Sequence, residues 1–164
     1  MESEVGEGTT FTLRLPLASR AAPRSVRPES ENAPASSVRR RLLVVDDEPS
    51  MGQTISRVLG RTHDVVVETN PRVALDRLRD GEHFDLLLCD LMMPEMSGAE
   101  LHAELEALGS PLARDMVILS GGAFTAGARE FLARVPNPRV DKPFDIRELR
   151  ATVAEVLRVA DERS

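Results

Sequence analysis

The sequence predicts an α/β fold: a doubly wound, five-stranded parallel sheet with helices on both faces. Three observations lead there. From Arg41 to about residue 160, short apolar runs of strand length alternate five times with stretches of helical apolar spacing. Some of these runs are apolar at successive positions, as in Leu42-Leu43-Val44-Val45 and the Leu86-Leu87-Leu88 centre of a later run. That is the pattern of strands covered on both faces. Each strand is followed by a helix, the arrangement that right-handed crossovers between parallel neighbours require.

The elements follow in order along the 164 residues. Residues 6–17, GEGTTFTLRLPL, alternate apolar and polar from Phe11 to Leu15, a strand pattern that Pro16 ends. Residues 18–40 are rich in Pro, Ser, Ala and Arg and show no apolar periodicity, so a flexible linker is expected. Leu42–Val45 is the first strand of the repeating pattern, and Met51, Ile55, Val58 and Leu59 mark a helix over 50–60 behind Pro49. Asp64–Glu68 is a strand, and residues 71–80 form a helix stopped by Gly81. Phe84–Cys89 is a strand, and Ser97–Leu108 a helix with Ser97 as its N-cap. Met116–Leu119 is a strand, Thr125–Arg134 a helix, Arg139–Asp141 a short strand and Ile146–Val159 the last helix. Residues 161–164 are expected to be a tail.

Composition narrows the function. The net charge is −6, with the excess of acid carried by residues 41–160, and the chain has no Trp or Tyr. A nucleic-acid surface needs clustered Lys and Arg or stacking aromatics, so neither duplex nor single-strand binding is expected. No run has the roughly 18 apolar residues of a membrane span, and the acidic N-terminus has no apolar signal stretch. No membrane contact and a cytoplasmic location are therefore expected. Cys89 is the only cysteine, which excludes disulfide scaffolds and cysteine zinc sites, and its place inside a strand reads as a buried small hydrophobe. His63, His83 and His102 lack the spacing of metal ligands. Met92, Met93 and Met96 read as loop packing, and Arg39-Arg40-Arg41 as a solvated start to the domain. Twenty of the 21 basic residues are Arg, which leaves Lys142 as the sole lysine.

In such sheets ligands bind beyond the carboxyl ends of the strands. The residues there are Asp46 and Asp47, Asp90, Ser120 and Lys142. Any one of them could simply cap a helix; three carboxylates, a hydroxyl and the only ammonium on one sheet edge ask for a common purpose. Carboxylates at close range repel unless a cation lies among them, and oxygen-only donors favour a hard ion such as Mg²⁺. A carboxylate can also attack phosphorus and form an acyl phosphate.

Residues 41–160 resemble a response-regulator receiver domain. The motifs are VVDDE (44–48), LLLCDLMMPEMSG (86–98), VILSGG (117–122) and DKPF (141–144), with thirty residues from Asp90 to Ser120 and twenty-two more to Lys142. The resemblance implies a flavodoxin-like strand order 2-1-3-4-5 with five helices. It implies that Asp90 is the phosphoacceptor and that Asp47, Asp46, Asp90 and the backbone carbonyl of Met92 hold Mg²⁺. Lys142 would pair with the phosphoryl group, Ser120 would hydrogen-bond it, Gly121 would leave room for the donor, and Lys142-Pro143 would be cis. Two positions depart from the family. Arg139 stands where an aromatic residue usually swings with the Ser, leaving Phe124 as the nearest aromatic alternative. Met92 and Gly122 stand where side chains tune water access, which implies slow self-dephosphorylation. The expected partner is a histidine kinase or histidine phosphotransfer protein, in a two-component phosphorelay.

GEGTTFTLRLPL itself resembles the last glycine box and final strand of a histidine-kinase ATP-binding domain. Residues 1–17 would then be a remnant of that domain, 18–40 a linker and 41–160 the receiver, as at the end of a hybrid histidine kinase. Without the other kinase motifs, ATP binding and kinase activity are not expected, and a lone strand would have no sheet to join. The alternative is a degenerate receiver, a phosphorylation-independent interaction module. An aspartate-nucleophile phosphohydrolase would need a second Asp where Met92 stands, and a dinucleotide binder would need a Gly-rich turn where DDEPS follows the first strand.

Overall fold

The structure, a computed structural model, describes residues 39–122 and 125–163, together with the backbone of residues 2–4 and 8–10. The chain divides into two compact units, Met1–Ser36 and Ser37–Ser164. In the first, strand β1 (Glu2–Glu4) pairs antiparallel with β2 (Gly8–Thr10), Ser3 opposite Thr9. This ribbon precedes the strand expected over Phe11–Leu15 and does not test it. The Phe11–Leu15 alternation and residues 18–38 of the expected linker lie outside the described residues.

The second unit holds the five-stranded sheet. Its strands are β3 (Arg41–Val45), β4 (Asp64–Glu68), β5 (Leu86–Asp90), β6 (Met116–Ser120) and β7 (Arg139–Asp141). They are all parallel, in the order β4-β3-β5-β6-β7, which is 2-1-3-4-5 counted within this sheet. Helices α1 (Pro49–Leu59), α2 (Pro71–Arg79), α3 (Gly98–Ala107), α4 (Ala126–Arg134) and α5 (Ile146–Arg163) connect and flank it.

Alternate strand residues face opposite layers. Leu43, Val45, Leu87 and Cys89 pack with Ala74 and Leu75 of α2, Leu101 and Leu105 of α3, and Phe131 and Leu132 of α4. Leu42, Val44, Leu86, Leu88 and Val140 pack with Ile55 and Leu59 of α1 and with Leu149, Val153 and Leu157 of α5. Local chemistry starts the helices: Pro49 sits in the first turn of α1, Asn70 accepts the Arg72 and Val73 amides, and Ser97 and Glu100 form a reciprocal capping box. Thr125 caps α4 through the Ala128 amide.

Three expectations need correction. The third strand starts at Leu86, because Asp85 instead accepts the Arg41 amide at 2.7 Å while Phe84 is buried ahead of it. The last helix runs to Arg163, so residues 161–163 are helical, held by Arg158–Glu162, Arg40–Asp161 and Arg163–Asp115 ion pairs. Arg39 to Arg41 are engaged with the domain. Arg39 bonds Asp64 (2.9 Å) and the His63 carbonyl (2.8 Å), Arg40 also bonds Asp85, and Arg41 pairs with Glu82 while stacking 4.6 Å above the Phe84 ring.

Candidate functional site at the carboxyl edge of the sheet

Parallel order brings the carboxyl ends of β3, β5, β6 and β7 to one edge, and the sequence-predicted residues meet there. Carboxylate oxygens of Asp46, Asp47 and Asp90 lie within 4.8 Å of one another. Asp46 is fully buried and Asp90 nearly so, while Asp47 is exposed. The Glu48 amide donates to Asp46 Oδ1 (3.0 Å), and the Asp46 amide to the Glu68 carbonyl (3.2 Å), which fixes the first carboxylate. Lys142 Nζ reaches Asp46 Oδ2 at 2.7 Å and Asp90 Oδ1 at 3.3 Å. Lys142-Pro143 is a cis peptide bond, and the Lys142 amide donates to the Ser120 carbonyl at 2.6 Å.

Burial pushes the Asp90 carboxyl above its ordinary range; Lys142 opposes that and Asp46 adds to it, and the Met92 amide donates to it. Burial lowers Lys142, but its hydrogen bond to Asp46 and the nearby Asp90 outweigh this and hold it above its ordinary value. The lone ammonium therefore stays charged and meets two of the three carboxylates. The donors are all oxygen and gathered on one side of the sheet, so the set suits a hard divalent cation.

Ser120 is fully buried at the end of β6, and its hydroxyl donates to Asp141 Oδ1 at the end of β7. This partner escaped the sequence reading; the signal was an acid directly before the lysine, on the strand neighbouring Ser120. The loop after Asp90 is shaped by backbone. The Gly98 amide bonds the Leu91 carbonyl (3.1 Å), and Glu95 adopts a left-handed conformation at φ 67°. Met92 lies beside the cluster with its side chain exposed, and Gly121 is open on its free side.

Arg139 is exposed on β7, and Phe124 lies outside the described residues. Cys89 is buried with its thiol pushed far above the ordinary range by burial, consistent with packing rather than reactivity. His102 packs edge-on to Phe131 at 5.2 Å between centroids. A cavity of about 1230 Å³ opens at the opposite end of the sheet, lined by His102, Asn137 and Arg163 among others. It contains none of the clustered carboxylates, so its size does not compete with the chemistry at the carboxyl edge. Among the described residues, no helix is long and apolar enough to cross a membrane.

Known proteins are similar to this chain in sequence and in fold. The profile of the response regulator receiver domain matches residues 42–154. Sensor kinase CckA of Brucella abortus is 32% identical over 168 residues, covering 98% of this chain and 18% of that protein. The DNA-binding response regulator MtrA of Mycolicibacterium smegmatis is 36% identical over 123 residues, 74% of this chain and 52% of its own length. The chain thus spans at most about half of these relatives. Among solved structures, the receiver domain of a Francisella response regulator superposes with a TM-score of 0.60 at 24% identity, covering 76% of this chain and 99% of that one. With the family profile running from β3 into α5 and the strand order matching, the chain belongs to the response regulator receiver domain family.

Proposed function

We propose that Asp90 accepts a phosphoryl group from a phosphohistidine. The observation that carries this is the convergence of three carboxylates with the chain's only lysine, Lys142, at one sheet edge. Asp46, Asp47, Asp90 and the Met92 carbonyl would hold Mg²⁺, which when bound offsets carboxylate repulsion and the charge on phosphoryl oxygens. A carboxylate oxygen of Asp90 attacks phosphorus as the P–N bond to the donor imidazole breaks. Its electron pair passes to the ring nitrogen, which takes up a proton. Lys142 steadies the negative oxygens, and Ser120 hydrogen-bonds one of them in the product. The donor would be a histidine kinase or phosphotransfer protein in the cytoplasm. Alignment of CckA across 98% of the chain supports residues 1–17 as the end of a kinase ATP-binding domain, 18–40 as linker and 41–160 as receiver in a hybrid kinase.

A degenerate, phosphorylation-independent module is the second reading, favoured only by Arg139 in the aromatic position. Intact mass after incubation with acetyl phosphate and Mg²⁺ separates the two. One added phosphoryl group, absent with EDTA and in Asp90→Asn, is the expected result, with slow loss because neither Met92 nor Gly122 orients water. No adduct on the folded protein would reject the acceptor role, and a lifetime of seconds would reject slow loss.

A further inference from the structure

Asp141 stands apart from the proposed machinery yet holds one of its parts. In the β6–β7 register Ser120 lies directly opposite Asp141, and the Ser120 hydroxyl donates to Asp141 Oδ1. The Lys142 amide bond to the Ser120 carbonyl, 2.6 Å, fixes the two strand ends together. A hydroxyl has one proton to give. With that proton on Asp141, Ser120 cannot also donate to a phosphoryl oxygen on Asp90. Asp141 is exposed while Ser120 is fully buried, so the carboxylate can lose this bond to water, whereas the hydroxyl must exchange one protein partner for another.

We infer that Asp141 is a positioning residue that latches Ser120 in the resting protein and releases it when Asp90 is phosphorylated. The inference rests on the reading of Asp90 as acceptor. Once the Asp90–phosphoryl bond has formed, the Ser120 hydroxyl keeps its proton and turns its hydrogen bond from a carboxylate oxygen of Asp141 to a phosphoryl oxygen. Asp141 is then left unpaired on the short edge strand β7, next to a newly anionic site. This supplies a link between the site and the β7 edge that needs no aromatic at position 139. The latch also opposes phosphorylation, because the Asp141 bond must be given up before Ser120 can assist.

The test is the rate of acetyl phosphate labelling, followed by intact mass with Mg²⁺, in the wild type, Asp141→Ala, Asp141→Asn, Ser120→Ala and the Ser120→Ala/Asp141→Ala double variant. Asp141→Ala should label roughly three- to tenfold faster, the scale of one ordinary hydrogen bond in net terms. Asp141→Asn, which can still accept from Ser120, should fall between it and wild type. In the Ser120→Ala background, removing Asp141 should change the rate less than about twofold. An equal acceleration in both backgrounds would show that Asp141 acts through charge alone and overturn the latch. So would an Asp141→Ala rate equal to wild type. Absence of any adduct in the wild type would instead reject Asp90 as acceptor, and the latch with it. Asp141 is exposed, so its single variants keep the core; Ser120 is buried, so the Ser120→Ala variants are compared with each other once thermal midpoints show both folded.

Discussion

His63 carries a buried Nδ1 with no hydrogen-bond partner, just before β4. Burial and the neighbouring Arg39 and Arg40 guanidinium groups lower its pKa, and Asp85 and Asp64 only partly offset them. The folded state therefore binds this proton less readily than the unfolded chain. The sign follows: stability is full above the ordinary value near 6.5 and declines as pH falls from there through the depressed folded value. The thermal midpoint should drop as pH falls below about 6.5, and His63→Gln should flatten that drop. An unchanged slope in the variant would assign the loss to other groups. Sequence could not foresee this environment, because Arg39 and Arg40 reach His63 only once β3 and β4 pair. Asp141 was hidden for the same reason: its meaning lies in a cross-strand register with Ser120. The residues at strand ends were legible because a parallel order puts every carboxyl end on one edge, whatever the register.

At the scale of elements, the loop from Asp90 into α3 sets the geometry of the proposed acceptor. Gly98 opens α3 so close to the end of β5 that a Cβ there would lie 2.5 Å from the Asp90 carbonyl oxygen and 3.1 Å from Leu91 Cα. Both are backbone atoms and cannot rotate away. Gly98→Ala should therefore cost about 1–3 kcal/mol and displace Asp90, slowing labelling as well as lowering the thermal midpoint. Gly121→Ala is the control, since nothing lies within 4 Å of the added methyl and no positive φ is involved; its stability should stay within about 0.5 kcal/mol of wild type. Equal behaviour of the two would mean the Asp90–Gly98 approach is not constrained. The sequence showed Ser97 as the N-cap and the loop motif, but not this approach, because a glycine in a motif does not say which backbone it touches. Element ends failed where tertiary ion pairs decide them: α5 continues to Arg163 because Asp161 and Arg163 find Arg40 and Asp115, which lie far off in sequence.

For the whole molecule, the balance of charge at the sheet edge decides how folding and metal binding are linked. The chain carries a net −6, and three of its carboxylates crowd one another with Lys142 as the only ammonium among them. One positive charge meets two carboxylates, and three carboxylates gather around it, so the folded state carries repulsion that the unfolded chain largely escapes. Two outcomes follow. In EDTA, Asp90→Asn should be more stable than the wild type, because one repelling charge is gone while the shape is kept. With Mg²⁺ the order should narrow or reverse, because the wild type gains a full ligand set and the variant does not. At free Mg²⁺ ten times its dissociation constant the wild type should gain about 1.4 kcal/mol, roughly 3–5 °C for a domain of this size. Thermal melts of both proteins across a Mg²⁺ series, with ionic strength held constant by KCl, measure this directly. Parallel shifts in the two proteins would mean that the ion acts by general screening, and the trio would then be an acidic cluster with no specific site.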